Sequence, residues 1–174
     1  MAIRPVITAP DPRLKVTCKA VEKVDDSVRR LMKDMLDSMY AANGIGLAAP
    51  QVGDRRRVIV VDCSRDKKVP KHYCMANPEI VWTSEETFTY EEGCLSLPEQ
   101  YADVTRPARA RIRYLDEENE IRELEAEGLL AVCIQHEMDH LDGVLFVEHI
   151  SSLKRNMIMR RLAKIKRLHE TPAV

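Results

Sequence analysis

A chain of 174 residues, 45% hydrophobic and 32% charged with a net charge of -1, has the length and composition of one globular domain with a sizeable core. Its longest strongly apolar run, Val58-Ile59-Val60-Val61, is far too short to span a bilayer, and the first residues lack the apolar run and small-residue cleavage site of a secretory signal. Five cysteines without repeated spacing (Cys18, Cys63, Cys74, Cys94 and Cys133) argue for reduced thiols rather than a disulfide framework, and with it a cytoplasmic protein.

The first strong element follows Asp25-Asp26-Ser27, which offers N-cap oxygens. Val28, Leu31, Met32, Met35, Leu36, Met39 and Tyr40 then recur at helical spacing, and Asn43-Gly44 supplies a stop. The methionines of this stripe are expected to be core packing. Residues 44–53, Gly-Ile-Gly-Leu-Ala-Ala-Pro-Gln-Val-Gly, are small and glycine-rich, so backbone can approach a second backbone or a ligand there. Val58–Asp62 reads as a buried strand, residues 64–71 as a polar loop, and 79–83 and 87–91 as short strands.

Arg109–Leu115 alternates polar and apolar residues, Asp116-Glu117-Glu118-Asn119 makes a turn, and 121–125 returns as its partner strand. A second helix opens near Gly128, carries Leu129, Leu130, Val132, Cys133, Ile134, His136 and His140, and ends at Asp142-Gly143. A third opens at Ser151 or Ser152, with Leu153, Met157, Leu162, Ile165 and Leu168 on its apolar side. Residues 151–174 hold seven Lys or Arg against Glu170 alone, so a basic helix over 151–170 closes an otherwise acidic chain. Such a helix can be a solvated surface face or a dock for an anionic partner. The pattern is α+β: small antiparallel sheets packed around a central helix that bears a metal site, with an N-terminal and a C-terminal helix, in one domain over 1–174.

That central helix reads His136-Glu137-Met138-Asp139-His140. Two histidines four apart lie on one helix face, so their ring nitrogens can converge on one metal, and the intervening glutamate can act as general base without being a ligand. The layout suits metal-assisted hydrolysis. A third ligand is required. The extended motif H-E-x-x-H-x-x-G-x-x-H needs a histidine at 146, where Phe146 stands, and the only downstream glutamates are Glu148 and Glu170. The remaining soft donor in a suggestive context is Cys94, within Glu91-Glu92-Gly93-Cys94-Leu95-Ser96. Plainer alternatives stand beside these assignments: two core histidines, an inert buried thiol, and Gln51 as a turn hydrogen-bonder. His72, His149 and His169 lack motif context and are expected on the surface; Asp139 and Asp142 could orient the ligand histidines or face solvent.

Three segments, Gly44-Ile45-Gly46-Leu47-Ala48-Ala49-Pro50-Gln51, Glu92-Gly93-Cys94-Leu95-Ser96 and Gln135-His136-Glu137-Met138-Asp139-His140-Leu141, resemble, in order, the three signature motifs of the peptide deformylases. The resemblance extends over essentially the whole chain and is closest to the Gram-negative type. It implies removal of the formyl group from the N-terminal formylmethionine of nascent polypeptides, a step of N-terminal processing during protein biosynthesis that releases formate. It further implies that Cys94, His136 and His140 bind one divalent metal ion, Fe2+ in the cell and Zn2+, Ni2+ or Co2+ in isolated preparations. Glu137 then serves as general base and acid, and Gln51 with the backbone N–H of Leu95 holds the formyl oxygen. The Ile45-Gly46 backbone pairs with the extended peptide, while Leu129, Val132 and Cys133 line the methionine pocket. The resemblance also implies a monomer whose basic C-terminal helix docks on ribosomal RNA near the exit tunnel, without membrane contact. Some family members carry Arg at the position of Tyr101, which leaves the peptide contact there open. A metallopeptidase of another H-E-x-x-H type is the alternative reading.

Overall fold

Val58–Asp62 is buried at every position, and its side chains part to opposite faces of a sheet. Ile59 and Val61 join one apolar cluster, Val58 and Val60 another. A strand with two buried faces needs cover on both sides, and two helices supply it. The computed structural model describes residues 2–170; Met1 and residues 171–174, the outer ends of the expected 1–174 domain, lie outside them.

In chain order the elements are α1 (Asp26–Ala41), β1 (Gly46–Ala48), β2 (Val58–Asp62), β3 (His72–Thr83), β4 (Thr87–Cys94), β5 (Leu97–Pro107), β6 (Arg109–Leu115), β7 (Ile121–Glu127), α2 (Gly128–Leu141) and α3 (Ser152–Glu170). Five strands form an antiparallel sheet in the order β1-β2-β3-β6-β7; β4 and β5 form a separate antiparallel pair. The α+β class read from the sequence is the architecture observed. No helix among the described residues is long and apolar enough to cross a membrane.

α1 begins where Asp25 accepts a hydrogen bond from the Val28 N–H, capping an otherwise unpaired donor. It ends at Ala41; just beyond, Asn43 with a φ of 56° reverses the chain, and the Gly44 N–H reaches back to the Met39 carbonyl at 2.9 Å. Its methionines are core: Met32, Met35 and Met39 are sealed from solvent against Val58, Val60 and Leu47. α2 covers the other face, packing Ala131, Ile134, Met138 and Leu141 against Ile59, Val61 and Ile112. The sheet is thus a rigid floor under the helix that carries both histidines.

Several expected bounds shift. The strand expected over 79–83 starts seven residues earlier, at His72, and the one over 87–91 continues to Cys94. β5 was not foreseen: it contains Pro98 and Pro107, and Glu99 has a φ of 60°, so its sequence lacks a clean strand alternation. The expected apolar side of α3 is mostly wrong. Leu153, Met157, Ile165 and Leu168 are exposed, and the buried residues are Ile158 and Leu162, which pack with Leu145, Phe146 and Val147. Only one narrow stripe of this helix meets the body, so a single i, i+4 pair suffices to seat it.

Replacing Met35 by Ala removes a fully buried side chain from the α1–sheet contact and should destabilise the fold by about 2–5 kcal/mol. Urea unfolding followed by circular dichroism measures this; an unchanged midpoint contradicts the packing described.

Candidate metal centre and active site

α2 brings His136, Glu137 and His140 into the interior, each less than a tenth exposed. Cys94 arrives from the other sheet. The β4–β5 ladder breaks register between Gly93 and Cys94, and Cys94 pairs across a tight turn with Leu97. That irregularity turns the thiol towards α2. The Cys94 sulfur lies 3.4 Å from His140 Nε2, and one donor atom from each of Cys94, His136 and His140 falls within 4.8 Å of the others.

The rings are held from behind. His136 Nδ1 lies 2.8 Å from Glu92 Oε1, and since a carboxylate only accepts, that nitrogen carries the proton and Nε2 is left for the centre. Glu92 is in turn clasped by Arg106 through Nε at 2.7 Å and Nη2 at 3.0 Å. Arg106 also donates to Asp139 at 2.9 Å, and Asp139 is 2.8 Å from His149 Nε2. Burial works against the Glu92 charge, yet the bonds from His136 and Arg106 outweigh it and hold the carboxyl below its ordinary range. Phe146 stacks on the His136 ring at 6.1 Å between centroids.

Two buried polar atoms at this centre have no hydrogen-bond partner, Glu137 Oε2 and His140 Nδ1. An unpaired buried group costs about 1–3 kcal/mol. Burial lifts the Glu137 carboxyl to about 7, with His136 partly opposing the shift, and holds the His140 imidazole neutral, well below the ordinary histidine range. A neutral imidazole, a thiol beside it and a second oriented imidazole are the donor chemistry of a borderline-soft divalent cation. The residues therefore fit a metal.

A cavity of about 380 Å³ opens against these groups. Ile45, Gly46, Leu129, Val132 and Cys133 line it together with Cys94, Leu95, His136 and Glu137. Gly46 is constrained by close approach: a Cβ there would sit 2.6 Å from Glu137 Oε1 and 2.8 Å from the Cys133 sulfur. Cys133 donates to the Ile45 carbonyl at 3.5 Å, tying β1 to α2. Gln51 does not line the cavity. It is buried beside Cys94, with Nε2 3.0 Å from Ser96 Oγ and 3.6 Å from the Cys94 sulfur, while its Oε1 accepts from the Ala48 N–H at 2.8 Å. Tyr101 stands exposed on the rim.

Sequence reasoning gave no role to Glu92 or Arg106, and read Phe146 only as the residue standing where a histidine ligand is missing. Glu92 could have been found, because it stands in the same short motif segment as Cys94, two residues before it. Arg106 carried no signal; it comes from the unforeseen β5. Asp139 acts on His136 only through Arg106 and Glu92, and Asp142 pairs with Arg57 at 2.8 Å rather than with either histidine. His149, expected at the surface, is exposed yet bonded to Asp139.

An α+β scaffold with a buried His-Glu-x-x-His helix and a converging thiol defines a metal-hydrolase class. The particular family follows from likeness along the chain. Residues 3–156 match the family model described as polypeptide deformylase. The chain is 55% identical over 166 residues to the peptide deformylase of Phenylobacterium zucineum, covering 94% of this chain and 97% of that one. It is 47% identical over 174 residues to that of Rhizobium meliloti, with full coverage of both. The crystal structure of peptide deformylase from Ehrlichia chaffeensis superposes with a TM-score of 0.92 at 36% identity, covering 98% of this chain and all of the other. The chain belongs to the peptide deformylase family, enzymes that hydrolyse the N-formyl group from methionine.

Replacing Glu92 by Ala frees the His136 ring and leaves Arg106 buried without its principal partner. Metal affinity should fall about 10–100-fold, and stability by about 3–5 kcal/mol. Competition with a chromophoric chelator reads the first effect and urea unfolding the second; metal retention equal to the parent protein refutes the orienting role.

Proposed function

We propose that this chain is a single catalytic domain that removes the formyl group from the N-terminal formylmethionine of nascent polypeptides, with Cys94, His136 and His140 as metal ligands. The observation that carries this reading is the partnerless, buried Glu137 carboxylate oxygen beside that donor set, at the wall of an open cavity. A divalent ion held there supplies Lewis-acid activation of water near neutral pH. One thiolate with two imidazoles suits Fe2+, which we infer in the cell, as well as Zn2+, Ni2+ or Co2+.

Glu137 accepts the proton of the attacking water and delivers it to the leaving amine, a task matched by a carboxyl lifted to about 7. The Leu95 N–H and the Gln51 amide hold the formyl oxygen as negative charge develops on it. The Gln51 role is supported by the hold on its amide beside Cys94: its Oε1 accepts from the Ala48 N–H and its Nε2 donates to Ser96 Oγ. The Ile45-Gly46 backbone aligns the extended peptide, and Leu129, Val132 and Cys133 receive the methionine side chain. Phe146 occupies the place where the other H-E-x-x-H arrangement needs a histidine, which disfavours a metallopeptidase.

The basic α3 exposes Lys154, Arg160, Arg161, Lys164 and Arg167, and we infer a cytoplasmic monomer that docks through this face on ribosomal RNA. Because Ile158 and Leu162 are buried, charge reversal at Lys154, Arg160 and Lys164 tests the docking better than truncation. Ribosome co-sedimentation should weaken with the reversal and with added salt; binding indifferent to both refutes it.

On a formyl-Met peptide, Glu137→Ala should retain the metal and lose most formate release. Gln51→Leu should lower kcat about 10²–10³-fold. Near-normal turnover of the Glu137 variant sinks its assignment, and release of free amino acid in place of formate sinks the whole reading.

A further inference from the structure

We propose that His72, Cys74 and Glu117 form a second divalent-metal site, of the zinc-binding type, remote from the catalytic centre. His72 and Cys74 are two apart on β3 and so share one face of the sheet. The β3–β6 register pairs Ala76 with Leu115, and its continuation by two residues sets Glu117, in the β6–β7 turn, across from Cys74. One donor atom from each of the three residues lies within 4.8 Å of the others, and His72 Nε2 is 3.9 Å from Glu117 Oε2. Ligands at about 2.0–2.3 Å from a tetrahedral ion are about 3.3–3.8 Å apart, so small side-chain movements close the site.

The backbone there is fixed independently of any ion. Asp116 Oδ1 accepts the N–H groups of Glu118 and Glu120, both at 2.9 Å, and locks the turn. Asn119 Oδ1 accepts the Val24 N–H at 2.7 Å, and Arg29 reaches the Glu117 carbonyl at 3.4 Å, so the turn is tied to the start of α1. Cys74 is almost wholly buried at the floor, while His72 and Glu117 are exposed at the mouth, leaving an entry path and a position for water. Burial and the neighbouring Glu117 charge raise the Cys74 thiol, which bonds to that carboxylate. A bound dication reverses both effects: the sulfur–proton bond is replaced by a sulfur–metal bond, and one proton leaves to solvent. Thiolate, imidazole and carboxylate together select a borderline-soft ion such as Zn2+ over Mg2+ or Ca2+. None of these residues touches the catalytic cavity, so the site clamps β3 to the β6–β7 turn without entering the reaction.

Zinc-loaded holoenzyme, freed of excess metal and titrated with ZnCl2 in a calorimeter, tests the site. The expected result is one further equivalent with proton release, seen as a heat that depends on the ionisation enthalpy of the buffer. His72→Ala and Cys74→Ser should abolish that equivalent and leave formate release unchanged. No further equivalent in the parent protein, or one that survives both substitutions, overturns the proposal. Should Cys74→Ser fold poorly, the exposed His72→Ala decides the matter alone.

Discussion

The ion-paired chain Arg106–Glu92–His136 is the interaction on which the centre depends. Taking Arg106 and Glu92 out of water carries a large desolvation cost, which their two short hydrogen bonds offset only while the geometry holds. The pair therefore functions as a clamp of defined shape. It fixes which nitrogen of His136 faces the centre, and through Asp139 it joins the outward side of α2 to the separate β4–β5 hairpin. Two sheets that share no ladder are thereby locked where the candidate metal-holding side chains meet: Cys94 from the β4–β5 pair, His136 and His140 from the helix packed on the five-stranded sheet.

The same enclosure sets the acid–base chemistry. Glu137 sits where water is scarce and where the negative Glu92 is near, and both effects favour its protonated form, against the opposing pull of His136. A carboxyl poised near neutrality can both take and return a proton. A divalent charge next to it shifts that balance towards the carboxylate.

What could be read from the sequence was set by periodicity and by local chemistry. α1 and α2 have long apolar stripes and clear stops, and β2 a run with no polar interruption, so their existence followed directly. The residues grouped by the three motifs, including Cys94 some forty positions before His136, do come together in space. β5 was not readable, because its two prolines and left-handed Glu99 disguise a hairpin held by pairing to β4. Arg106 was lost with it: a long-range ion pair leaves no periodic trace. The exposed side of α3 misled because leucine and isoleucine at helical spacing report amphipathicity without reporting which half of the stripe finds a partner.

Gly46 carries a consequence for inhibition. Any side chain at that position collides with Glu137 and Cys133, so the strand that walls the cavity can present only bare main chain there. A compound that draws its affinity from the peptide groups of Ile45 and Gly46 leans on atoms no point substitution can remove. A mutation that bulked the strand enough to expel such a compound would also displace Glu137, and with the base role proposed for that carboxylate, escape from the drug would coincide with loss of the enzyme.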